Sequence, residues 1–241
     1  MICVATRGLA RHFGGIQAIN GIDLDIPMGQ TRALIGPNGA GKSTLVGVIS
    51  GRIAPSTGTI HFRGQDITRL PTCRRIRLGI AYTFQITSVF ARLSVFENVA
   101  LSARRIHGSA HKTVNASTRT ALERLGLADR ARQLAGDQSY GHQRLLEIAM
   151  GLVQDPDLFI LDEPTQGLAA SEVEDFKTLI RSLRGSMTIL LIEHNMGVVM
   201  ETADTITVLD QGRVLTTGTP AEIRANAAVQ ACYLGRSHAA G

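Results

Sequence analysis

Residues 36–43 read Gly-Pro-Asn-Gly-Ala-Gly-Lys-Ser, and no other stretch limits the fold of this chain as tightly. Gly36, Gly39 and Gly41 allow positive φ and let successive backbone N–H groups close on an anion. The preceding run, Thr31-Arg32-Ala33-Leu34-Ile35, reads as a buried strand, and Ser43 to Ile49 reads as a helix stopped by Gly51. Strand, glycine loop and helix in that order make a phosphate cradle, because the loop's N–H groups meet at the positive end of the helix. Lys42 adds a flexible point charge for the outer phosphates, Ser43 a hydroxyl for Mg2+, and Thr44 a further phosphate contact. The competing reading is a glycine turn with a solvated lysine. The flanking strand and helix argue against it.

A chain of 241 residues, 44% apolar and 19% charged, suffices for one large domain or two closely joined subdomains. No apolar run reaches bilayer length, and Met1 to Arg7 lacks the charged start and long apolar region of a signal peptide, so the expected location is the cytosol. Cys3, Cys73 and Cys232 are widely separated and form no Cys-x-x-Cys pair, which predicts reduced thiols rather than zinc or a redox couple. The net charge of +5 gathers at Arg63, Arg69, Arg74, Arg75 and Arg77, and again at Arg104, Arg105 and Lys112. With 4% aromatic residues and no Trp, platforms for stacking single-stranded nucleic acid are not evident. These clusters read as solvated faces, with anionic lipid headgroups as the alternative partner.

Periodicity divides the chain into a β-rich start, a helical middle and a second β/α stretch. Ile22 to Ile26 alternates, and Thr59 to Phe62 follows the turn signal Pro55-Ser56-Thr57-Gly58. From about Phe84 to Met150 the pattern is helical, with Ala121, Leu122 and Leu125 on one face before Gly126. His107 and His111 have i, i+4 spacing, but Gly108 lies between them and no acidic partner is near, so they read as surface residues rather than metal ligands. Strands follow at Leu158 to Leu161 and Thr188 to Ile192, around a helix striped by Val173, Phe176, Ile180 and Leu183. Asp210-Gln211-Gly212 joins Thr205–Leu209 to Arg213–Leu215 as a hairpin, and a last short helix begins near Pro220. There is no internal repeat, low-complexity tract or flexible linker.

The apolar strand at 158 ends in Asp162-Glu163 before Pro164. Carboxylates at the C-terminal end of a parallel strand stand where α/β sheets hold ligands. Asp162 suits Mg2+ through its water shell, and Glu163 suits a general base that polarises water. Upstream, Ser139 reads as a helix N-cap, and Gly141 would leave its N–H accessible, so this helix start could meet a phosphate too.

Together these motifs resemble the ATP-binding subunits of ABC transporters over nearly the whole chain. The resemblance makes Gly36 to Thr44 the Walker A motif (Gly36, Pro37, Asn38, Gly39, Ala40, Gly41, Lys42, Ser43, Thr44), Gln85 the Q-loop residue, and Ser139-Tyr140-Gly141-His142-Gln143 the signature. It makes Leu158 to Asp162 Walker B, Glu163 the catalytic glutamate, His194 the switch histidine and Phe13 the aromatic that stacks on adenine. It implies an α/β P-loop NTPase of ABC type: a mixed RecA-like core with an N-terminal antiparallel β subdomain and an inserted helical subdomain. The implied division of 1–241 is 1–85 and 151–241 for core and β subdomain, and about 86–150 for the helical signature subdomain. ATP and Mg2+ are the implied cofactors, the metal lying at Ser43, Gln85 and Asp162.

Phe13-Gly14-Gly15, Asp66-Ile67-Thr68, Leu78 to Gln85, Val95 to Val99, Leu146 to Ala149, Ile192 to Met196 and Ala231 to Gly235 look like the branched-chain amino acid importer ATPases. That likeness implies uptake of branched-chain amino acids or a related small solute, with membrane permease subunits as partners and a periplasmic binding protein acting indirectly. A second ATPase subunit, in a heterodimer or homodimer, would complete the nucleotide site head to tail on the cytoplasmic face of the inner membrane. The chain departs from the usual Leu-Ser-Gly-Gly-Gln at Gln138, Tyr140 and His142, and has Ala169 where many relatives have Asp or Asn and Asn195 where Asp is common. A soluble ABC ATPase acting on nucleic acid or ribosomes is the alternative; one cassette, no sustained heptads and no cysteine cluster weigh against it. A regulatory ATP-binding module without turnover is disfavoured by the presence of both Glu163 and His194.

Overall fold

The computed structural model describes residues 1–83 and 88–234. Two long strands, Ile2–Phe13 (β1) and Ile16–Pro27 (β2), pair antiparallel at the start of the chain. Thr31–Ile35 (β3) leads through the glycine loop into Lys42–Ser50 (α1). Thr57–Phe62 (β4) and Gln65–Asp66 (β5) then return to β1, giving a four-stranded antiparallel sheet in the order β2-β1-β4-β5. Thr72–Arg77 (α2) and Ile80–Tyr82 (β6) precede three helices, Val95–His107 (α3), His111–Arg124 (α4) and Tyr140–Leu152 (α5). Leu158–Asp162 (β7), Ala170–Ser182 (α6), Thr188–Ile192 (β8), Met196–Thr202 (α7) and Thr205–Asp210 (β9) alternate after them. Arg213–Gly218 (β10), Pro220–Ala225 (α8) and Ala227–Leu234 (α9) close the described chain.

The second sheet has the order β10-β9-β3-β8-β7-β6, parallel throughout except for the β9–β10 hairpin. β3, β7 and β8 are buried along their whole length, which explains why they read as unbroken apolar runs. Strand alternation sorts them between two cores. Leu158 and Ile160 of β7, with Leu190 and Ile192 of β8, pack with Leu45 and Val48 of α1 and with the antiparallel sheet. Phe159, Leu161, Ile189 and Leu191 face the other way, onto Val99, Leu146 and Phe176 of α3, α5 and α6. Register sets the strand ends level: Leu34 pairs with Ile192, and Ile192 with Asp162. The loops after β3, β7 and β8 therefore leave the sheet side by side.

His107 ends α3 and His111 begins α4, with Gly108 at φ 57 breaking the helix between them, so the two imidazoles never share one helix face. One expectation changes, that for Arg75, which is not solvated but 1% exposed. Its guanidinium donates to the carbonyls of Val48 (2.8 Å) and Ile49 (2.7 Å) at the C-terminal end of α1, and to Leu70 (2.9 Å) and Thr68 (3.0 Å). A cation there complements the helix dipole at the end opposite the glycine loop. Burial still pushes its pKa down, to about 10.

Arg75→Ala should take the guanidinium donor from these four carbonyls and lower unfolding stability by about 3 kcal/mol in urea titrations. A loss within the error of the titration would show that Arg75 does not anchor α1.

Candidate active site

The glycine loop is held where side chains cannot go. Gly36, Gly39 and Gly41 have φ of 150°, 80° and 99°. A Cβ on Gly36 would sit 2.2 Å from the Leu209 carbonyl of β9, and one on Gly41 2.4 Å from the Ala18 carbonyl of β2. Pro37 is half-buried, Asn38 and Gly39 are exposed, and Ala40 is buried, its carbonyl accepting from Gly212 N at 3.1 Å. Lys42 folds under the loop and donates to the Gly36 and Pro37 carbonyls at 2.7 and 3.1 Å. Burial lowers its pKa, opposed by the carboxylates of Glu163 and Asp162. Ser43 is exposed and Thr44 half-buried in the first turn of α1, which contains no acidic residue to compete with an anion.

Asp162 is 3% exposed. Its carboxylate accepts from the Tyr82 hydroxyl at 2.8 Å, and that hydroxyl in turn accepts from Arg52 at 2.7 Å. Burial raises the Asp162 pKa above the usual carboxylate range, while the Tyr82 hydrogen bond pulls it down. The Asp162 carbonyl accepts from buried Arg144, which also pairs with Glu147 at 2.7 Å.

Glu163 takes φ 49°, a conformation that costs a non-glycine residue about 1 kcal/mol. Its N–H bonds the Ile192 carbonyl at the end of β8 (2.9 Å), which holds the strained residue in place. From there Oε1 meets His194 Nε2 at 3.1 Å. Buried Glu193 fixes the loop on the far side. One of its oxygens accepts from Thr165 N and Oγ1 (2.9 and 2.6 Å), the other from His194 N and Asn195 N (3.0 and 3.2 Å). Asn195 then caps α7, its side-chain oxygen accepting from Val198 N at 3.3 Å.

The structure thus brings Lys42, Asp162, Glu163 and His194 to one sheet edge. Phe13 stands at the tip of the β1–β2 hairpin, 44% exposed, with the Arg11 guanidinium 4.5 Å over its ring. Ser139 caps α5 as expected, accepting from His142 N at 3.2 Å. Gly141 is buried on its Cα side: a Cβ there would lie 2.9 Å from Glu172 and 3.3 Å from Gly167 and Leu168, so only glycine fits. Tyr140 lays its ring on Gly167. The signature segment therefore packs on the loop between β7 and α6. Gln138, also unusual, donates to Gln133 and Leu134 while its own side-chain oxygen is buried without a partner. Ala169 precedes α6, its N–H held by Glu172 at 2.7 Å. Gln85 lies outside the described residues.

Sequence reasoning gave no role to Tyr82, Arg144 or Glu193. Each reaches a partner through the fold, Tyr82 across 80 positions and Glu193 across 28. A buried Glu directly before His194 was the one local hint.

Known proteins match this geometry. Residues 19–166 fit the family described as ABC transporter, so the chain belongs to that family, as an ATP-binding and ATP-hydrolysing cassette of a transporter. Residues 213–239 fit the family described as branched-chain amino acid ATP-binding cassette transporter. The high-affinity branched-chain amino acid transport ATP-binding protein LivG of Escherichia coli K12 is 38% identical, over 97% of this chain and 98% of its own length. BraF of Pseudomonas aeruginosa, described in the same words, is also 38% identical, over 95% and 96%. A nucleotide-free ATP-binding cassette from an ABC transporter superposes with a TM-score of 0.85 at 26% identity, covering 98% of this chain and 100% of that one. An ADP-conformation cassette gives 0.83 at 26%, covering 98% and 99%. These relatives are transport cassettes, and the nucleic-acid alternative falls away.

Tyr82→Phe removes the hydrogen bond that lowers the Asp162 pKa and leaves burial less opposed, so Asp162 should titrate at higher pH. Carboxyl 13C shifts followed through an acid titration of the metal-free chain read this directly. An unmoved or lowered midpoint would contradict the assigned link.

Proposed function

We propose that this chain is the ATPase subunit of an importer for branched-chain amino acids or a related small polar solute, and that it holds half of each nucleotide site. One observation carries this reading: Lys42, Asp162, Glu163 and His194 share a sheet edge, while Ser139 stands exposed at the start of α5, whose first turn packs through Gly141 on the loop before α6. The other half would come from a second ATPase subunit, a sister chain or a copy of this one, meeting it head to tail.

In this reading Gly36 to Thr44 bind the phosphates, through loop N–H groups and the Lys42 ammonium, and Phe13 stacks on the adenine. The Ser139 hydroxyl and the Gly141 backbone N–H contact the γ-phosphate bound by the partner. The donor set fits Mg2+: the Asp162 carboxylate and the Ser43 hydroxyl are hard oxygen ligands, which would share the ion with phosphate and water. Gln85 is assigned to the same group. Bound there, Mg2+ would neutralise phosphate charge.

Glu163, aimed by its strained backbone and its contact with His194, takes the proton of the attacking water. His194 holds the Glu163 carboxylate in place and faces the γ-phosphate. Hydrolysis cleaves the γ-phosphoryl group from ADP with water, and once that phosphate leaves, the bridge between the two chains is lost and the pair opens.

A groove of about 440 Å3 lined by Arg52, Tyr82, Phe90, Leu101 and Met150 exposes Phe90 and Leu101, and we assign it to a membrane permease. No helix among the described residues is long and apolar enough to cross a membrane, so attachment at the cytoplasmic face would run through that subunit. A periplasmic binding protein would select the solute. The division into 1–85 with 151–241, and about 86–150, is read as core plus β subdomain against a helical arm that carries Ser139.

Lys42→Ala should abolish ATP binding, measured by nucleotide titration. Glu163→Gln should keep binding, lose at least a hundredfold in turnover, and accumulate an ATP-dependent pair in gel filtration. Parental turnover in Glu163→Gln would remove that residue from the role of base. His194→Ala should likewise lose turnover with ATP binding retained.

A further inference from the structure

His142 is bound on both sides. Its Nδ1 lies 2.7 Å from Ser139 Oγ, and the same Oγ accepts from its backbone N–H at 3.2 Å. On the far side its Nε2 stands 3.7 Å from Glu172 Oε1, an ion-pair distance. The other oxygen of Glu172 accepts from Ala169 N at 2.7 Å, which anchors the carboxylate at the start of α6. The two side chains are 24% and 21% exposed. Glu172 is the charged group that α6 turns toward the imidazole; the adjoining loop offers Gly167 and Leu168, and Gln143 on the same helix turns its amide to the Ala135 and Gln138 carbonyls.

A serine hydroxyl has one proton and two lone pairs. One lone pair of Ser139 is taken by the His142 N–H. A neutral imidazole facing a carboxylate keeps its proton on Nε2, so its Nδ1 is an acceptor and the Ser139 hydroxyl donates to it. That hydroxyl then offers a phosphate no proton. An imidazolium instead donates from Nδ1 to Oγ, fills the second lone pair and leaves the hydroxyl proton free to turn outward.

We propose that His142 is a positioning residue that sets the direction of the Ser139 hydroxyl, so that two cassettes associate across ATP more tightly when the imidazole is protonated. The proposal rests on the reading of Ser139 as a contact to ATP bound by another chain. The sign follows from proton uptake: association that binds a proton is strongest at low pH and weakens as pH rises through the histidine titration. The glutamine usual at this position cannot change charge.

The test is the ATP- and Mg2+-dependent association of Glu163→Gln chains, by light scattering from about pH 5.5 to about pH 8, where histidines titrate, with any sister cassette present. The Glu163→Gln chain should lose association on the order of tenfold as pH rises, the worth of one hydrogen bond to a charged group. Adding His142→Gln should keep association and flatten the profile, which also cancels the titration of ATP itself, common to both. An unchanged slope in His142→Gln overturns the proposal while leaving the shared site intact. ATP binding without association at any pH overturns the shared site, and this proposal with it.

Discussion

The level ends of three parallel strands are the constraint on which the rest of the molecule depends. Leu34, Ile192 and Asp162 lie in one register row, so the glycine loop, the Asp162-Glu163 pair and His194 emerge from adjacent strands of one sheet. A one-residue slip of β7 would turn Asp162 to the other face and exchange Phe159 and Ile160 between cores. Both faces of the sheet are covered, so such a slip would strand large apolar side chains. Packing thereby fixes the position of the chemistry.

Burial and charge oppose one another at this edge. Lys42 and Asp162 are both pushed toward their uncharged forms by burial, and each is answered, Lys42 by the carboxylates of Glu163 and Asp162 and Asp162 by the Tyr82 hydroxyl. Phosphate would replace the carbonyl contacts of Lys42 with a charge-assisted one. α1 is tied at both ends, by the glycine loop at its start and by Arg75 at its close. Glu193 ties the loops after β7 and β8 to each other, so Glu163 and His194 cannot drift apart independently.

Much of the fold was legible because its key strands are locally unmistakable. Thr31–Ile35, Leu158–Asp162 and Thr188–Ile192 read as unbroken apolar runs because both faces are buried. The glycines of the phosphate loop were legible for a different reason: their backbone geometry admits no side chain. β1 was harder, since repeated register shifts spoil its alternation. Arg75 was misread because its burial comes from carbonyls 26 and 27 positions earlier. The packing of Gly141 on Glu172 and the loop before α6 is a contact no local pattern encodes. Tyr82 and Glu193 share this property, since their partners are distant in sequence and near only in the fold.

The central claim is that the nucleotide site here is half complete and is finished by another chain. The most direct measurement is the structure of the assembled transporter carrying Glu163→Gln with ATP and Mg2+. The account predicts a γ-phosphate contacted by Lys42 of one cassette and by the signature serine of the facing cassette. A γ-phosphate enclosed by Lys42 and Ser139 of the same chain, or by no second chain at all, would contradict it.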